Sequence, residues 1–558
     1  MRLNTNDTTR MRAAGNAATK GSSTGKTFLS GVLVLTLSTV LVKLIGLFYK
    51  IPMLHYLGSE GMGYFNAAYE WYATLCVFST AGLPLAGSML IARARTMNNG
   101  PAVRRIERMT LYLFLGLGTV GTLALLLFAD AISRMIGSHD TQYAIMAVAP
   151  TLFFSCLSGA YRGYFQGHED MAPTAISQVI EAVGKLILGL GFAVFAHSRG
   201  MSAPYVAAWA MLGLSLGVAI SVLYLALHRR HYTERYEDVL MAEESTGEFT
   251  FRRLLGIAVP ITASSSVLSL TRLLDMAMIL RRLQTVGYDT AAANALYGSY
   301  TTMAVPIFNL IPSLITSVAL ALVPTLTAAI RSGDVETQRS TARSAIRITT
   351  LLSLPASLAV SLYSKTILKL LFHGENAAVE VAAPMLSILA VSIFFSGLIT
   401  TTNAILQAYG HPSAPIASML VGSGMKLIGA YFLIGTPQIH IYGAPISTFL
   451  CDALIVGINL TLIARYTDVM ESLGRALVRP LLVSAVAVGL PGMAYAALVR
   501  AGYEAVPLFL GAVPVTLLLF AVLCLKTNLI GETEFGMLPG RMGERIRGHW
   551  GRADSKES

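Results

Sequence analysis

Asn66-Ala67-Ala68-Tyr69, followed by Leu83-Pro84, returns later in the chain as Asn294-Ala295-Leu296-Tyr297, followed by Ile311-Pro312. The offset is 228 in both cases. Gln166, Pro173 and Lys185-Leu186-Ile187 are echoed by Gln407, Pro415 and Lys426-Leu427-Ile428 at an offset of 241, apart from one single-residue shift around the proline. The segments carrying these matches are apolar runs of helical length. Two similar multi-helix halves, with prolines at matching places and a few charges inside, form the pattern of a transporter whose substrate site lies between the repeats near the bilayer midplane.

The composition agrees. The 558 residues are 54% hydrophobic and 13% charged, and the mean hydropathy is +0.62. A soluble chain of this length does not look like that. Cys76, Cys156, Cys451 and Cys524 are far apart inside apolar stretches, without metal-ligand or redox spacing, and read as small core residues. The first apolar segment is too long for a signal-peptide core and reads as a retained helix. Gly21-Ser22-Ser23-Thr24-Gly25-Lys26-Thr27 imitates a phosphate-binding loop, but it has three residues between its glycines where four are needed, and no strand precedes it. With no other nucleotide motif, metal cluster or nucleophile–base pair, the chain reads as a non-enzyme without cofactor. Its energy source is then an Na+ or H+ gradient, the membrane potential or the substrate's own gradient.

Hydropathy predicts an all-α polytopic membrane protein with about fourteen spans, near 28–49, 67–92, 109–129, 143–162, 175–196, 203–227, 252–280, 296–324, 345–363, 382–407, 414–434, 441–464, 478–499 and 504–526. With the N-terminus inside, 29 of the 41 lysines and arginines fall on the inner side and 8 on the outer. That bias puts both termini in the cytoplasm. It also accounts for the net charge of +11 without nucleic acid. The resulting divisions are a disordered tail (1–27), a first lobe of six helices (28–227), a cytoplasmic linker (228–251), a second six-helix lobe (252–464), a helix pair (465–526) and a basic tail (527–558). The basic tail suits the anionic inner leaflet or plain solvent.

Four cations remain inside spans: Lys43, Lys185, Arg272 and Lys426. An ionisable group at mid-bilayer costs at least about 2.5–3.5 kcal/mol, so such residues usually face a wet cavity or a partner. Thr36, Lys43 and Lys50 recur at steps of seven and share one helix face. They point into a cavity, or Lys43 snorkels and Lys50 anchors the helix end. Ser265, Ser269 and Arg272 make a polar stripe on the helix that opens the second half. Arg272 and Asp275 can pair at i, i+3, either to fix packing or to orient Arg272. Glu181 and Lys185 can pair at i, i+4. Lys426 stands at the matching repeat position, with Gly422 in place of Glu181, and so lacks a local partner. Glu70 and Asp452 are the remaining buried carboxylates and candidates for ion coupling. Pro84, Pro306 and Pro312 interrupt helices, giving static kinks or points of flexure.

Lys43-Leu44-Ile45-Gly46-Leu47-Phe48-Tyr49-Lys50-Ile51-Pro52, Leu57-Gly58-Ser59-Glu60-Gly61-Met62-Gly63-Tyr64-Phe65-Asn66-Ala67-Ala68-Tyr69 and Gly82-Leu83-Pro84-Leu85-Ala86-Gly87-Ser88 together resemble the polysaccharide-exporter branch of the multidrug/oligosaccharidyl-lipid/polysaccharide (MOP) superfamily. More narrowly, they resemble stage V sporulation protein B and Gram-positive lipid II flippases. The resemblance covers about residues 28–526. It implies two six-helix lobes, a C-terminal helix pair lining a lipid groove, and a bacterial plasma-membrane protein. It also implies flipping of an undecaprenyl-diphosphate-linked saccharide to the outer leaflet, with membrane lipid and cell-wall synthesis proteins as partners. Lys43 maps to a cavity cation of the first helix and Arg272 to one of the second lobe. Lys50 and Lys426 complete the candidate substrate-binding set. The alternatives are a cation-coupled multidrug antiporter of the same fold and an exporter of O-antigen or exopolysaccharide repeat units.

Overall fold

The computed structural model describes residues 5–97, 99–236, 250–467, 473–527 and 529. The rest of the linker and of the basic tail lies outside them. The described residues are helical and contain no strand. Two compact units, Met1–Leu273 and Leu274–Ser558, divide the chain.

The first unit begins with α1 (Thr5–Thr80). The helix is assigned from Thr5. Ala13, Ala14, Ala17 and Ala18 favour helix there. The imitation phosphate loop likewise lies within α1. Helical geometry fails at Gly58, whose φ of 67° and ψ of 174° belong to a region open only to glycine. The chain doubles back there. Tyr49 and Phe65, which would lie about 24 Å apart on one straight helix, have ring centres 6.4 Å apart. After a break at Ala81-Gly82 follow α2 (Leu83–Thr96), α3 (Gly100–Met135), α4 (Thr141–Gly167), α5 (Ala172–Gly184), a π-turn (Lys185–Gly189), α6 (Leu190–Ser198) and α7 (Ala203–Tyr236). Small hydroxyl residues hold these helices together inside the membrane. Thr151 meets Ser215 at 2.5 Å, and Ser221 donates to the Ser177 carbonyl at 2.9 Å.

Helix α8 (Phe251–Thr285) starts in the first unit and ends in the second. The division therefore falls inside a helix and not in the linker. The cause is local: Thr74 Oγ1 donates to the Ser269 carbonyl at 3.3 Å, and the Gly82 amide donates to Thr262 Oγ1 at 3.2 Å. Gly82 is required for that approach. A Cβ there would overlap the Ala258 carbonyl oxygen and come within 2.6 Å of Thr262 Oγ1.

In the second unit α9 (Thr290–Ser299) passes through a π-turn (Tyr300–Ala304) into α10 (Val305–Arg331). Pro306 has no N–H with which to close an α-turn on Thr302, and the widened turn comes immediately before it. Pro84 sits in the first turn of α2, directly after the chain break, whereas Pro312 lies inside α10 with helix on both sides. Then come α11 (Val335–Leu371), α12 (Asn376–Ala408), α13 (Ser413–Ile434), α14 (Gly443–Tyr466), α15 (Leu473–Arg500) and α16 (Ala505–Lys526). Tyr363 of α11 packs edge-on against Tyr495 of α15 and Phe509 of α16, at 4.9 and 5.3 Å between ring centres. This attaches the final helix pair to α11.

Among the described residues twelve helical stretches are long and apolar enough to cross a membrane. The first, Ser38–Thr96, runs through the Gly58 reversal and covers two of the expected spans. The stretch broken by the second π-turn is not among the twelve. The fold class agrees with expectation, and the count of fourteen is not reached by this measure.

Candidate functional site: charges within the membrane helices

In the first unit Glu181 of α5 is the centre of a cluster. Lys185 Nζ lies 2.7 Å from its Oε1, and Arg162 Nη2 lies 2.9 Å from its Oε2. Arg162 Nε also donates to Ser177 Oγ at 3.0 Å. The i, i+4 pair is the one legible in the sequence. Arg162 comes from the end of α4, and nothing in its local spacing announced it. Lys185 is also the first residue of the π-turn.

The second unit solves the same problem differently. Lys426 Nζ on α13 lies 2.7 Å from Asp275 Oδ2 on α8. One expectation is corrected: Asp275 is paired with Lys426 and not with Arg272, so the partner that Lys426 lacks locally comes from another helix. Asp275 is 8% exposed. Arg272, three residues earlier, is exposed and donates from Nη2 to Ser269 Oγ at 3.1 Å. The i, i+3 spacing leaves the two on differently buried faces of α8, and α13 supplies the cation on the buried one. The same helices meet again further on, where Arg282 Nε donates to the Tyr431 carbonyl at 3.0 Å and its guanidinium stacks 4.1 Å from that ring's centre. Tyr300, first residue of the second π-turn, and Asp452 on α14 both lie within electrostatic reach of Lys426. Thus each π-turn opens at a residue of a charge cluster, a pattern common at functional sites.

Lys50 is half-buried and within electrostatic reach of Glu70. Lys43 is exposed on α1. Among the described residues neither Lys43 nor Arg272 has a carboxylate partner. No group of three or more His, Cys, Asp or Glu is placed to hold a metal ion among the described residues.

A further cluster, outside the spans expected from hydropathy, was missed. Arg229, two turns before the end of α7, grips Glu107 of α3 with Nε at 2.6 Å and Nη2 at 2.7 Å, and its guanidinium lies 4.2 Å from the centre of the Tyr164 ring. His168, after the last turn of α4, sits beside it with Nδ1 2.9 Å from the Tyr164 carbonyl. Burial pushes this imidazole down to about 4. It is neutral near pH 7, and its Nδ1–H donates to that carbonyl.

The polysaccharide biosynthesis protein family matches residues 28–330, and the MatE family matches residues 298–432. Stage V sporulation protein B of Bacillus subtilis (strain 168) is 27% identical over 428 residues, 76% of this chain and 80% of that protein. Lipid II flippase MurJ of the same organism is 26% identical over 427 residues, covering 72% and 76%. Among solved structures, lipid II flippase MurJ in an inward closed conformation superposes with a TM-score of 0.64 at 14% identity, covering 88% of this chain and 98% of that one. An inward-facing multidrug resistance MATE family transporter of the MOP superfamily gives 0.60 at 16% identity, covering 77% and 99%. The family match spans more than half of the chain: this chain belongs to the polysaccharide biosynthesis protein family.

Proposed function

We propose that the chain is a flippase, moving an undecaprenyl-diphosphate-linked saccharide from the inner to the outer leaflet of the bacterial plasma membrane by alternating access. Both termini lie in the cytoplasm in this reading, following the charge bias of the loops. Lipid II or a related cell-envelope precursor is the cargo in this reading, as the name of the relative lipid II flippase MurJ suggests.

One observation carries the proposal. Of the four cations that the sequence reading places inside spans, Lys185 and Lys426 are held by carboxylates, whereas Lys43 and Arg272 are exposed and have no carboxylate partner among the described residues. The two open cations stand on the opening helix of each half. A diphosphate leaving water needs charge-assisted hydrogen bonds of the kind a lysine and an arginine donate. The polyprenyl tail stays in lipid meanwhile. A carrier of cationic drugs would instead offer open carboxylates. Glu181 and Asp275 are engaged in ion pairs and Glu70 lies near Lys50. Asp452 is the carboxylate left for coupling to H+ or Na+.

The test is rescue of a bacterium depleted of its lipid II flippase. The wild-type gene restores growth. Lys43→Ala and Arg272→Ala each abolish rescue while the protein reaches the membrane at normal level, and Lys43→Arg retains most of it. Undiminished rescue by both alanine variants removes the diphosphate assignment. No rescue by the wild type points to another saccharide or to the antiporter reading.

A further inference from the structure

We propose that Arg105, Arg108 and Tyr112 on α3 form a headgroup site for an anionic phospholipid, on the side of the membrane where the arginine-rich loops lie. This assignment is independent of the cargo.

The site is built from the run Arg104-Arg105-Ile106-Glu107-Arg108. Ile106 is fully buried. Glu107, the only acid in the run, is turned inward and held by two hydrogen bonds from Arg229. It therefore cannot neutralise its neighbours. Arg105 and Arg108, at i, i+3, are exposed and have no carboxylate partner among the described residues. Among the described residues this outward face is cationic, because Glu107 is engaged elsewhere.

That face continues down α3 as a stripe open to lipid. Tyr112 is 69% exposed, Val120 67% and Leu127 77%, while Phe114, Leu125 and Ala129 on the opposite side are buried. From Tyr112 to Ile132 the helix rises about 30 Å, the thickness of the hydrocarbon core. Arg105 and Arg108 then stand at phosphate level, with the Tyr112 phenol in the interfacial belt just below. The far end of the stripe is different in kind. Arg134 there is paired with Asp130 on the next turn, and His139 lies 3.4 Å from the same carboxylate. One end of the helix offers two open cations to lipid; the other brings its own anion.

Native mass spectrometry of the full chain, offered phosphatidylglycerol or phosphatidylcholine, tests the site. The wild type prefers phosphatidylglycerol. Each of Arg105→Gln and Arg108→Gln lowers that preference about fivefold, and the double variant about 25-fold, from the usual worth of a cation at an anionic membrane surface. Phosphatidylcholine binding does not change, and Arg134→Gln leaves the preference intact. Arg105→Lys/Arg108→Lys keeps it, which separates loss of charge from loss of fold. Equal binding of the two lipids by the wild type, or an undiminished preference in both single variants, overturns the proposal. So does displacement of phosphatidylglycerol by soluble pyrophosphate, which would make the site one for free phosphate.

Discussion

Lys426 and Asp275 form a buried ion pair between two helices of the second unit, and such a pair has a characteristic response to mutation. Removing one partner strands a charge and typically costs about 3–5 kcal/mol, whereas replacing both by apolar groups of similar size is often close to neutral. Lys426→Ala and Asp275→Ala are each expected to lower the thermal midpoint in detergent strongly, and Lys426→Met/Asp275→Leu to recover most of the loss. Additive losses in the double variant would show that the two residues are not an energetic unit. At this scale the sequence was readable only where partners were close along the chain. The Glu181–Lys185 pair follows from its i, i+4 spacing. Arg162 reaches the same carboxylate from another helix, and α13 brings Lys426 to Asp275 from far along the chain, so neither contact had a local signature. Exposure decided the rest: Arg272 was read as the partner of Asp275 because three residues along a helix bring side chains near, yet the two occupy differently buried faces.

Elements were more legible than contacts, because a helix is written in a contiguous apolar run and its interruptions in glycine and proline. The run near 67–92 divides at Ala81-Gly82, just before Pro84, where the sequence placed a bend. Pro306 follows a π-turn, and Pro312 is carried inside α10. The π-turns themselves were not legible, since apart from Lys185, whose spacing already pairs it with Glu181, nothing in Lys185–Gly189 departs from the apolar pattern around it. Gly82 allows the clearest test at this scale. Its amide bonds Thr262, and a methyl group there has no room. Gly82→Ala is expected to destabilise the protein by about 1–3 kcal/mol, as overpacking usually does, read as a lowered thermal midpoint. The loss should shrink in Gly82→Ala/Thr262→Ala, where part of the obstruction is removed. An unaltered midpoint in Gly82→Ala would mean that α2 and α8 do not approach so closely in the membrane.

At the scale of the molecule, the repeat and the long apolar runs pointed to a two-part helical membrane protein before any contact was known, and the division into two compact units agrees. Twelve stretches among the described residues are long and apolar enough to cross, and the first of them covers two of the fourteen expected spans. The side on which each loop lies is testable. Ser138 falls between α3 and α4, and Gly333 between α10 and α11. Reporter fusions after these residues are expected to read outside and inside respectively, and the opposite result would invert the orientation argued from the loops. The Lys426–Asp275 pair also has an electrical consequence. Carrying one elementary charge across a potential of 100 mV involves about 2.3 kcal/mol. A lysine bound to its aspartate carries no net charge, so a conformational change that moves the pair as one body contributes nothing to the gating charge. Lys426 is in this sense electrically silent, and voltage can act there only by separating the pair.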